Sequence, residues 1–270
     1  MQHDYNYGSD TLQYWDIGSG TTTVLLIHGF CEDNRIWESQ ITFLSKYYRV
    51  IAPNLPGVHC APLPIHHSEP PSMRHYVEVL HELMHHLEID QYYIMGHSMG
   101  GYIGLTFADY YVNHVMGLGL IHSTTYADSD AKKESRMKVA EFLQEWGTEK
   151  YLQMAIPNLF SSRFKKENQD AIQHVIEWGA NISNEALIQF VMAMRNRPAN
   201  SHLLTQNRIP IWMIVGEEDI AIAIEDSLAQ TQLLPPQNVI VLKEVGHMGM
   251  IEASDIVNQS IHRFLQNALS

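Results

Sequence analysis

Cysteine, long apolar runs and a leader-like N-terminus are scarce or missing in this sequence. Its 270 residues include two cysteines, Cys31 and Cys60, too few for the disulfide framework of a small secreted protein. We expect both to be ordinary reduced thiols. No apolar run reaches the roughly 18 residues of a transmembrane helix, and the first residues lack the basic and apolar regions of a signal peptide. These absences predict a cytoplasmic protein.

Positive charge is also scarce. Lys and Arg number 17 against 30 Asp and Glu, which gives a formal net charge of −13. Nucleic acids and anionic membranes both require a basic face on the protein, so we expect neither as a partner. The length and the 45% hydrophobic content suit one large α/β domain with room for an inserted subdomain. These features leave the oligomeric state open.

Strand-like and helix-like segments alternate through the first half of the chain. Four runs have the Val, Ile, Leu and Tyr content of strands that are buried on both faces. They lie at residues 23–27, 49–52, 92–95 and 115–121. Segments with helical spacing separate them, at residues 36–47, 73–88 and 102–111. This alternation predicts a parallel sheet with right-handed crossovers, and the polar–apolar alternation of residues 1–20 predicts an antiparallel hairpin at its edge.

The alternation stops in the middle of the chain. Residues 124–206 contain no convincing strand, and their apolar residues have helical spacing. The predicted helices lie at residues 131–146, 149–155, 168–178 and 185–194. We interpret residues 124–206 as an all-helical cap inserted over the strand ends of a core domain formed by residues 1–123 and 207–270. The aromatic and Met content of this cap favours an apolar or mixed substrate.

A Gly-x-Ser-x-Gly motif at residues 96–100 lies where a predicted strand passes directly into a helix. Such a sharp corner strains its central residue and lifts that side chain clear of the sheet. Gly96 and Gly100 leave room for the strand and the helix to approach. At the helix N-terminus, unpaired N–H groups and the helix dipole favour a developing negative charge. We therefore predict that Ser98 is a nucleophile.

A serine nucleophile needs a base, and the base needs an anion that fixes its tautomer. His247 follows the last predicted strand and is our candidate for the base. Asp219 follows the preceding strand and is our candidate for the acid. Glu217 and Glu218 lie in the same turn and compete for that role, although the shorter aspartate suits the reach better.

The strand at residues 23–27 ends in His28-Gly29-Phe30. We assign one N–H group of an oxyanion hole to Phe30 and the other to Met99, the residue after the nucleophile. His28, His122 and Trp146 are further candidates for substrate contacts. We predict no cofactor and no metal site.

Residues 81–85 match the zinc-protease pattern His-Glu-x-x-His. On the predicted helix, His81 lies at the flank of the apolar stripe and His85 well round towards solvent. Gln91 stands where a third histidine would be expected, and this helix packs outside the sheet, away from the strand ends. We therefore expect no zinc here. The His66-His67 pair is likewise expected to be solvated.

Together these motifs resemble the α/β-hydrolase superfamily, and within it the capped esterase-like branch, over essentially the whole chain. The matching positions are 28–30, 54–57, 96–101, 216, 219, 246 and 247. The chain order serine, aspartate, histidine is the order of that family. The resemblance implies an α/β fold with a mostly parallel eight-stranded sheet, helices on both faces, an inserted all-helical cap and no cofactor.

The sequence departs from the family pattern at two places near the expected cleft rim. Asn54 stands where relatives usually carry Asp, and Val58-His59-Cys60 replaces a Gly-x-Gly-like loop. A serine nucleophile excludes the related dehalogenases and epoxide hydrolases, which need a carboxylate. The predicted function is a serine hydrolase that cleaves a small carboxylic ester or thioester through an acyl-enzyme.

Two alternatives use the same fold. One is a carbon–carbon bond hydrolase or lyase with the same triad. The glycine- and proline-rich continuation usual for hydrolases of vinylogous diketones is replaced here by Cys31-Glu32-Asp33, which counts against that activity. The other is a non-catalytic small-molecule receptor, in which the cap senses a ligand.

Overall fold

The computed structural model describes residues 2–8, 10–63 and 69–269. The His66-His67 pair therefore lies outside the described residues. Within them, one eight-stranded sheet has the strand order β1-β2-β4-β3-β5-β6-β7-β8. The pairs β1–β2 and β2–β4 are antiparallel, and all other neighbours are parallel. This confirms the predicted mostly parallel sheet and the antiparallel hairpin at its edge. The strands are β1 (Gln2–Tyr7), β2 (Asp10–Ile17), β3 (Thr23–Ile27), β4 (Arg49–Pro53), β5 (Tyr92–His97), β6 (Val115–Ile121), β7 (Ile211–Gly216) and β8 (Val239–Leu242).

Helices pack around this sheet. They are α1 (Glu38–Leu44), α2 (Met73–His86), α3 (Met99–Tyr110), α4 (Asp130–Ala155), α5 (Ser162–Glu167), α6 (Gln169–Gly179), α7 (Asn184–Asn196), α8 (Leu203–Gln206), α9 (Ile224–Thr231), α10 (Gly249–Glu252) and α11 (Ser254–Leu269). Short 3-10 helices lie at Asn34–Trp37, Ile156–Leu159 and Pro236–Asn238. The helix predicted at 36–47 is thus shorter and follows a 3-10 turn. None of the helices in the described part of the chain combines the length and apolarity needed to cross a bilayer.

The central strands are buried along their whole length, as their β-branched and leucine-rich sequences predict. In the parallel pairs, Leu25 lies opposite Ile94, and Gly96 lies opposite Leu120. Parallel strands present their carboxyl ends at one edge of the sheet. That edge is formed by Ile27 of β3, His97 of β5, Ile121 of β6 and Gly216 of β7. The predicted site residues follow these strand ends directly in sequence.

The segment between β6 and β7 is helical throughout its regular structure. Residues 124–206, the cap segment, contain α4 to α8 and no strand among the described residues. Gly147, with φ 81° and ψ 170°, interrupts α4 between the helices predicted at 131–146 and 149–155. Ser129 caps the N-terminus of α4, and its hydroxyl accepts a hydrogen bond from the Lys132 N–H at 3.3 Å. The boundaries of the cap as a separate unit stay a prediction.

The corner between β5 and α3 has room only for glycine at two positions. A Cβ atom on Gly96 would overlap the Gly100 carbonyl group, and one on Gly100 would overlap the Ile27 carbonyl oxygen. These neighbours are backbone atoms, which cannot move aside as a flexible side chain does. The two glycines therefore let α3 begin directly against β5 and β3.

We expect Gly100→Ala to lower the free energy of unfolding by about 2 kcal/mol or more, because the new methyl group displaces backbone. Gly104→Ala is the matched control on the same helix. Its Cβ would meet only side-chain atoms, Leu118 Cδ1 at 2.8 Å and Ile94 Cγ2 at 3.2 Å, and alanine favours the helix. Urea unfolding measures both variants. Equal stability of the two would contradict this account of the corner.

Candidate active site

Ser98 lies at the corner between β5 and α3 in a strained backbone conformation. Its φ of 50° and ψ of −113° are unusual for a residue with a side chain. The Ser98 N–H donates to the Ile121 carbonyl at 2.9 Å, and the Ser98 carbonyl accepts from the Ser123 hydroxyl at 2.8 Å. His97 and Met99 on either side are buried, whereas Ser98 is partly exposed. The corner thus holds the backbone on both sides of a side chain that reaches open space.

His247 and Asp219 form a buried hydrogen-bonded pair. The His247 Nδ1 atom lies 2.8 Å from Asp219 Oδ2, and both side chains are almost fully enclosed. The other carboxylate oxygen, Oδ1, accepts hydrogen bonds from the N–H groups of Ala221 and Ile222 at 2.8 and 3.0 Å. Burial raises the pKa of Asp219, but the neighbouring His247 and His122 outweigh it and hold this pKa well below its usual range. Asp219 is therefore an anion that fixes the His247 ring.

The two competing acids in the same turn point elsewhere. Glu217 accepts a hydrogen bond from the Glu244 N–H at 3.3 Å. Glu218 accepts one from the Ser162 N–H at 2.8 Å, which ties the turn after β7 to the cap segment. Only Asp219 of these three acids contacts His247 in the described structure.

Ser98 and His247 meet at one cavity of about 200 Å³. Among the described residues, the hydrogen bonds do not include one from Ser98 Oγ to His247 Nε2. Catalytic hydrogen bonds are often long before a substrate binds and tighten in its complex. The Nε2 atom of His247 is thus the ring nitrogen left to accept a proton, since Nδ1 is engaged by Asp219.

Phe30 also lies at this cavity, and Met99 follows Ser98 at the start of α3. Neither N–H donates a hydrogen bond to another described residue. The loop before Phe30 is held by a 2.7 Å hydrogen bond from the Gly29 N–H to Glu32. Two backbone N–H groups without a partner among the described residues thus lie in the loop after β3 and at the N-terminus of α3.

The three candidates for substrate contacts, His28, His122 and Trp146, are not among the residues that line the cavity. His28 is buried, and its Nε2 atom accepts a hydrogen bond from the Leu55 N–H at 2.9 Å. Trp146 is 48% exposed and lies beneath the Lys150 ammonium group. Tyr151 of the cap segment lines the cavity instead, with its ring 5.9 Å from that of Phe30.

His122 lies behind the acid rather than in the cavity. Its Nδ1 atom is 3.4 Å from Asp219 Oδ2, without the alignment of a hydrogen bond. Its ring is packed so tightly that a Cβ atom on Gly249 would overlap Nε2. Burial lowers the pKa of His122 to about 4, despite the attraction of Asp219. Near neutral pH His122 is therefore an uncharged, buried ring that packs against the carboxylate.

Sequence reasoning missed a buried ion pair that links the two sides of the site. His97 Nδ1 lies 3.0 Å from Glu32, and His97 Nε2 lies 2.9 Å from the His247 carbonyl oxygen. Both ring nitrogens face acceptors, which the imidazolium form satisfies by donating twice. Burial raises the pKa of Glu32, but His97 and the Gly29 N–H outweigh it and lower this pKa. The pair thus joins the loop of Phe30 to the loop of His247.

Only one group of residues in the described structure has the spacing of a metal site, namely His122, Asp219 and His247. The Asp219 oxygens there already accept hydrogen bonds from His247 and from backbone N–H groups. In the His-Glu-x-x-His segment, His81 stacks on Tyr111 with ring centroids 3.9 Å apart. His85 is exposed.

The family model described as alpha/beta hydrolase fold matches residues 22–174. Together with the sheet order and the strand-to-helix corner, this match shows that the chain belongs to the alpha/beta hydrolase fold family. The predicted family is thereby confirmed, and the chain is a hydrolase of that superfamily.

The chain is similar to several characterised proteins. It is 27% identical over 263 residues to the dihydrolipoyllysine-residue acetyltransferase component of an acetoin cleaving system from Pseudomonas putida, covering 96% of this chain and 68% of that protein. It is 26% identical over 238 residues to lipase 1 from Psychrobacter immobilis, covering 86% and 73%.

Among solved structures, a malate-bound thermophilic esterase from Thermogutta terrifontis matches with a TM-score of 0.90 and 26% identity, covering all of both chains. The enol-lactonase from Burkholderia xenovorans LB400 matches with a TM-score of 0.85, covering 98% of this chain and 100% of that chain. At 18% identity this second match shows the fold alone.

The Glu32–His97 pair leads to a stability prediction. We expect Glu32→Ala to lower the free energy of unfolding by about 3–5 kcal/mol, because it leaves His97 buried without its partner. Glu32→Gln is the matched control and should cost much less. Its amide can accept from the Gly29 N–H and donate to Nδ1 of a neutral His97. Urea unfolding compares the two variants, and equal losses would show that the ion pair is not what holds the loops.

His122 leads to a pH prediction. The unfolded chain binds a proton at His122 near its ordinary pKa of 6.5, whereas the folded protein binds it only near 4. Stability should therefore fall as the pH drops from about 6.5 to about 4, by about 3 kcal/mol from this residue. Burial also lowers the pKa of His28, so part of the loss of stability at low pH comes from His28 rather than from His122.

The measurement is the urea midpoint against pH for the wild type and for His122→Gln, whose side chain does not titrate. We expect a shallower fall in the variant between pH 6.5 and 4. His85→Gln, at an exposed histidine, is the control and should keep the wild-type slope. An unchanged slope in His122→Gln would contradict the assignment of a buried neutral ring.

Proposed function

We propose that this hydrolase cleaves a small carboxylic ester or thioester through an acyl-enzyme on Ser98. In the proposal His247 is the general base and Asp219 orients it and stabilises its charged form. The observation that carries the proposal is the 2.8 Å bond from His247 Nδ1 to Asp219, at the cavity that Ser98 enters from its strained corner.

In the first step, the Ser98 oxygen attacks the ester carbonyl carbon while its proton passes to His247 Nε2. The carbonyl oxygen becomes an oxyanion, which the N–H groups of Phe30 and Met99 stabilise. Asp219 remains ionised beside the imidazolium, since its pKa lies well below the usual range. His247 then gives the proton to the leaving group, at the oxygen of the alcohol from an ester or at the sulfur of the thiol from a thioester.

In the second step, a water molecule enters where the leaving group was bound. His247 takes one proton from this water, and the resulting hydroxide attacks the acyl carbon. Collapse of the second oxyanion breaks the bond to Ser98, and His247 returns the proton to the serine oxygen. The chain's own residues supply every proton transfer in this sequence, and none of the steps calls for a cofactor.

Substrate size and polarity follow from the cavity. Its volume of about 200 Å³ is small among ligand pockets, which favours a short ester. Most of the side chains that the cap segment contributes are apolar: Val139, Tyr151, Ala155, Ile156, Leu159 and Met194. The names of the similar proteins, an esterase and a lipase among them, support an ester as the substrate.

We expect Ser98→Ala to lower kcat for 4-nitrophenyl acetate by roughly 10⁴–10⁶ while the fold survives, because the nucleophile is lost and the binding groups remain. Release of 4-nitrophenolate, with circular dichroism as the folding check, measures this. Covalent labelling by a fluorophosphonate should modify the wild type at Ser98 and spare the variant.

Retained turnover by a folded Ser98→Ala protein would overturn the acyl-enzyme. A wild type that neither turns over esters nor reacts with the fluorophosphonate would instead favour the receptor. A wild type that reacts with the fluorophosphonate but cleaves no ester would favour carbon–carbon bond cleavage on the same triad.

A further inference from the structure

One face of α4 carries two cations into the active-site cavity. Lys132, Ser135, Arg136 and Val139 all line it, at the spacing of three and four residues that places side chains on one helical face. The cavity is otherwise mostly apolar on its cap side. Charged groups are costly to desolvate. The placement of a lysine and an arginine four residues apart at a mostly apolar cavity therefore requires a compensating interaction.

The protein itself offers these cations too little negative charge. Arg136 Nε donates to Asp128 Oδ2 at 3.1 Å, and the same carboxylate pairs with Arg197 at 2.8 Å. Asp128 and Arg197 are buried, so one carboxylate is shared by two guanidinium groups. Lys132 adds a third cation, and although the charge of Asp219 also acts on it, positive charge is in excess around these residues.

Lys132 has no carboxylate partner in the described part of the chain. Its Nζ atom donates to the Ala221 carbonyl at 3.2 Å, which leaves hydrogens free on the ammonium group. Burial lowers the pKa of Lys132, and the positive charge of Arg136 lowers it further. The first turn of α4 adds partial positive charge from its own N–H groups. An anion bound here would remove this electrostatic penalty.

The acidic side chain that lines the cavity does not supply that anion. Glu32 lines the cavity, but its side chain is only 2% exposed and is engaged by His97 and the Gly29 N–H. The cavity thus combines the Ser98 hydroxyl, apolar walls and the two cations Lys132 and Arg136.

We infer that the substrate is a short ester that also carries a carboxylate, which Lys132 and Arg136 bind while the ester carbonyl lies against Ser98. This inference rests on the proposed function and names its substrate class. Such a substrate has an apolar link between its ester and its carboxylate. Its two kinds of surface match a cavity that combines apolar walls with two cations.

The test compares esters that differ only in the charged group. One pair is monoethyl succinate against ethyl butyrate, with the carboxylate on the acyl side. The other is O-acetylglycolate against propyl acetate, with the carboxylate on the alcohol side. Hydrolysis is followed by pH-stat titration. The wild type should have a kcat/KM at least about tenfold higher for the anionic member of at least one pair.

Lys132→Met should lower kcat/KM for that anionic ester by about 10- to 100-fold and reduce its preference over the neutral ester. Arg136→Gln should do the same, and Lys132→Arg should keep most of the preference because it keeps the charge. Lys133→Met is the matched control, since Lys133 is the adjacent residue of α4 and does not line the cavity. It should keep the wild-type preference.

A wild type that prefers the neutral ester in both pairs overturns the inference while leaving the ester hydrolase intact. A purely structural role of Lys132 would lower both members of a pair equally, and this also overturns it. If Ser98→Ala were fully active, the proposed function would fail by itself.

Binding then tests the anion site without turnover. By calorimetry, succinate should bind to the Ser98→Ala protein at least tenfold more tightly than to Ser98→Ala with Lys132→Met. Equal affinity in the two proteins would overturn the anion site.

Discussion

The active-site end of this protein depends on keeping one buried carboxylate ionised. Asp219 is almost fully enclosed, and burial alone would favour its protonated form. The N–H groups of Ala221 and Ile222 and the hydrogen-bonded His247 ring together reverse that preference. These partners follow the ends of β7 and β8, so the carboxylate is stabilised only where the folded sheet brings them together. The folded sheet and the proposed catalysis therefore both depend on the ionised state of Asp219.

The same edge of the sheet brings together loops that are far apart in sequence. The ion pair of Glu32 with His97 connects the loop after β3 to the corner after β5. The His97 ring then reaches the carbonyl of His247 after β8. Three loops are thus held by one buried imidazole ring, and a shift in any of them changes the position of a proposed catalytic group. The residue between Gly96 and Ser98 in the motif is thereby a structural part of the site.

Sequence predicts those parts of the candidate site whose position depends on neighbouring residues in the chain. The glycines at the corner and the residues that follow strand ends can be identified because parallel strands share an edge. The Glu32–His97 pair could not be predicted, because its members are 65 residues apart and neither residue type is unusual in a loop. The only available signals were an acid three residues after Gly29 and a histidine inside the motif.

Substrate-facing side chains were harder still to predict. Trp146 and Tyr151 lie on either side of Gly147, where the backbone leaves helical geometry, so the helical phase of one part of α4 does not carry over to the other. Tyr151 therefore faces the cavity and Trp146 faces solvent. For His122, the strand end was identified correctly, but its depth behind Asp219 depends on Gly216 and Gly249, which close around the ring.

The break at Gly147 divides the cap's longest helix into two parts with different tasks. The first part holds the cations, and the second holds Tyr151 and the apolar wall that continues beyond it. Because a glycine with positive φ uncouples their rotation, replacement of residues in one part leaves the other in register. Substitutions in the first part can thus change the polarity of the cavity, and substitutions in the second part its width, as separate traits.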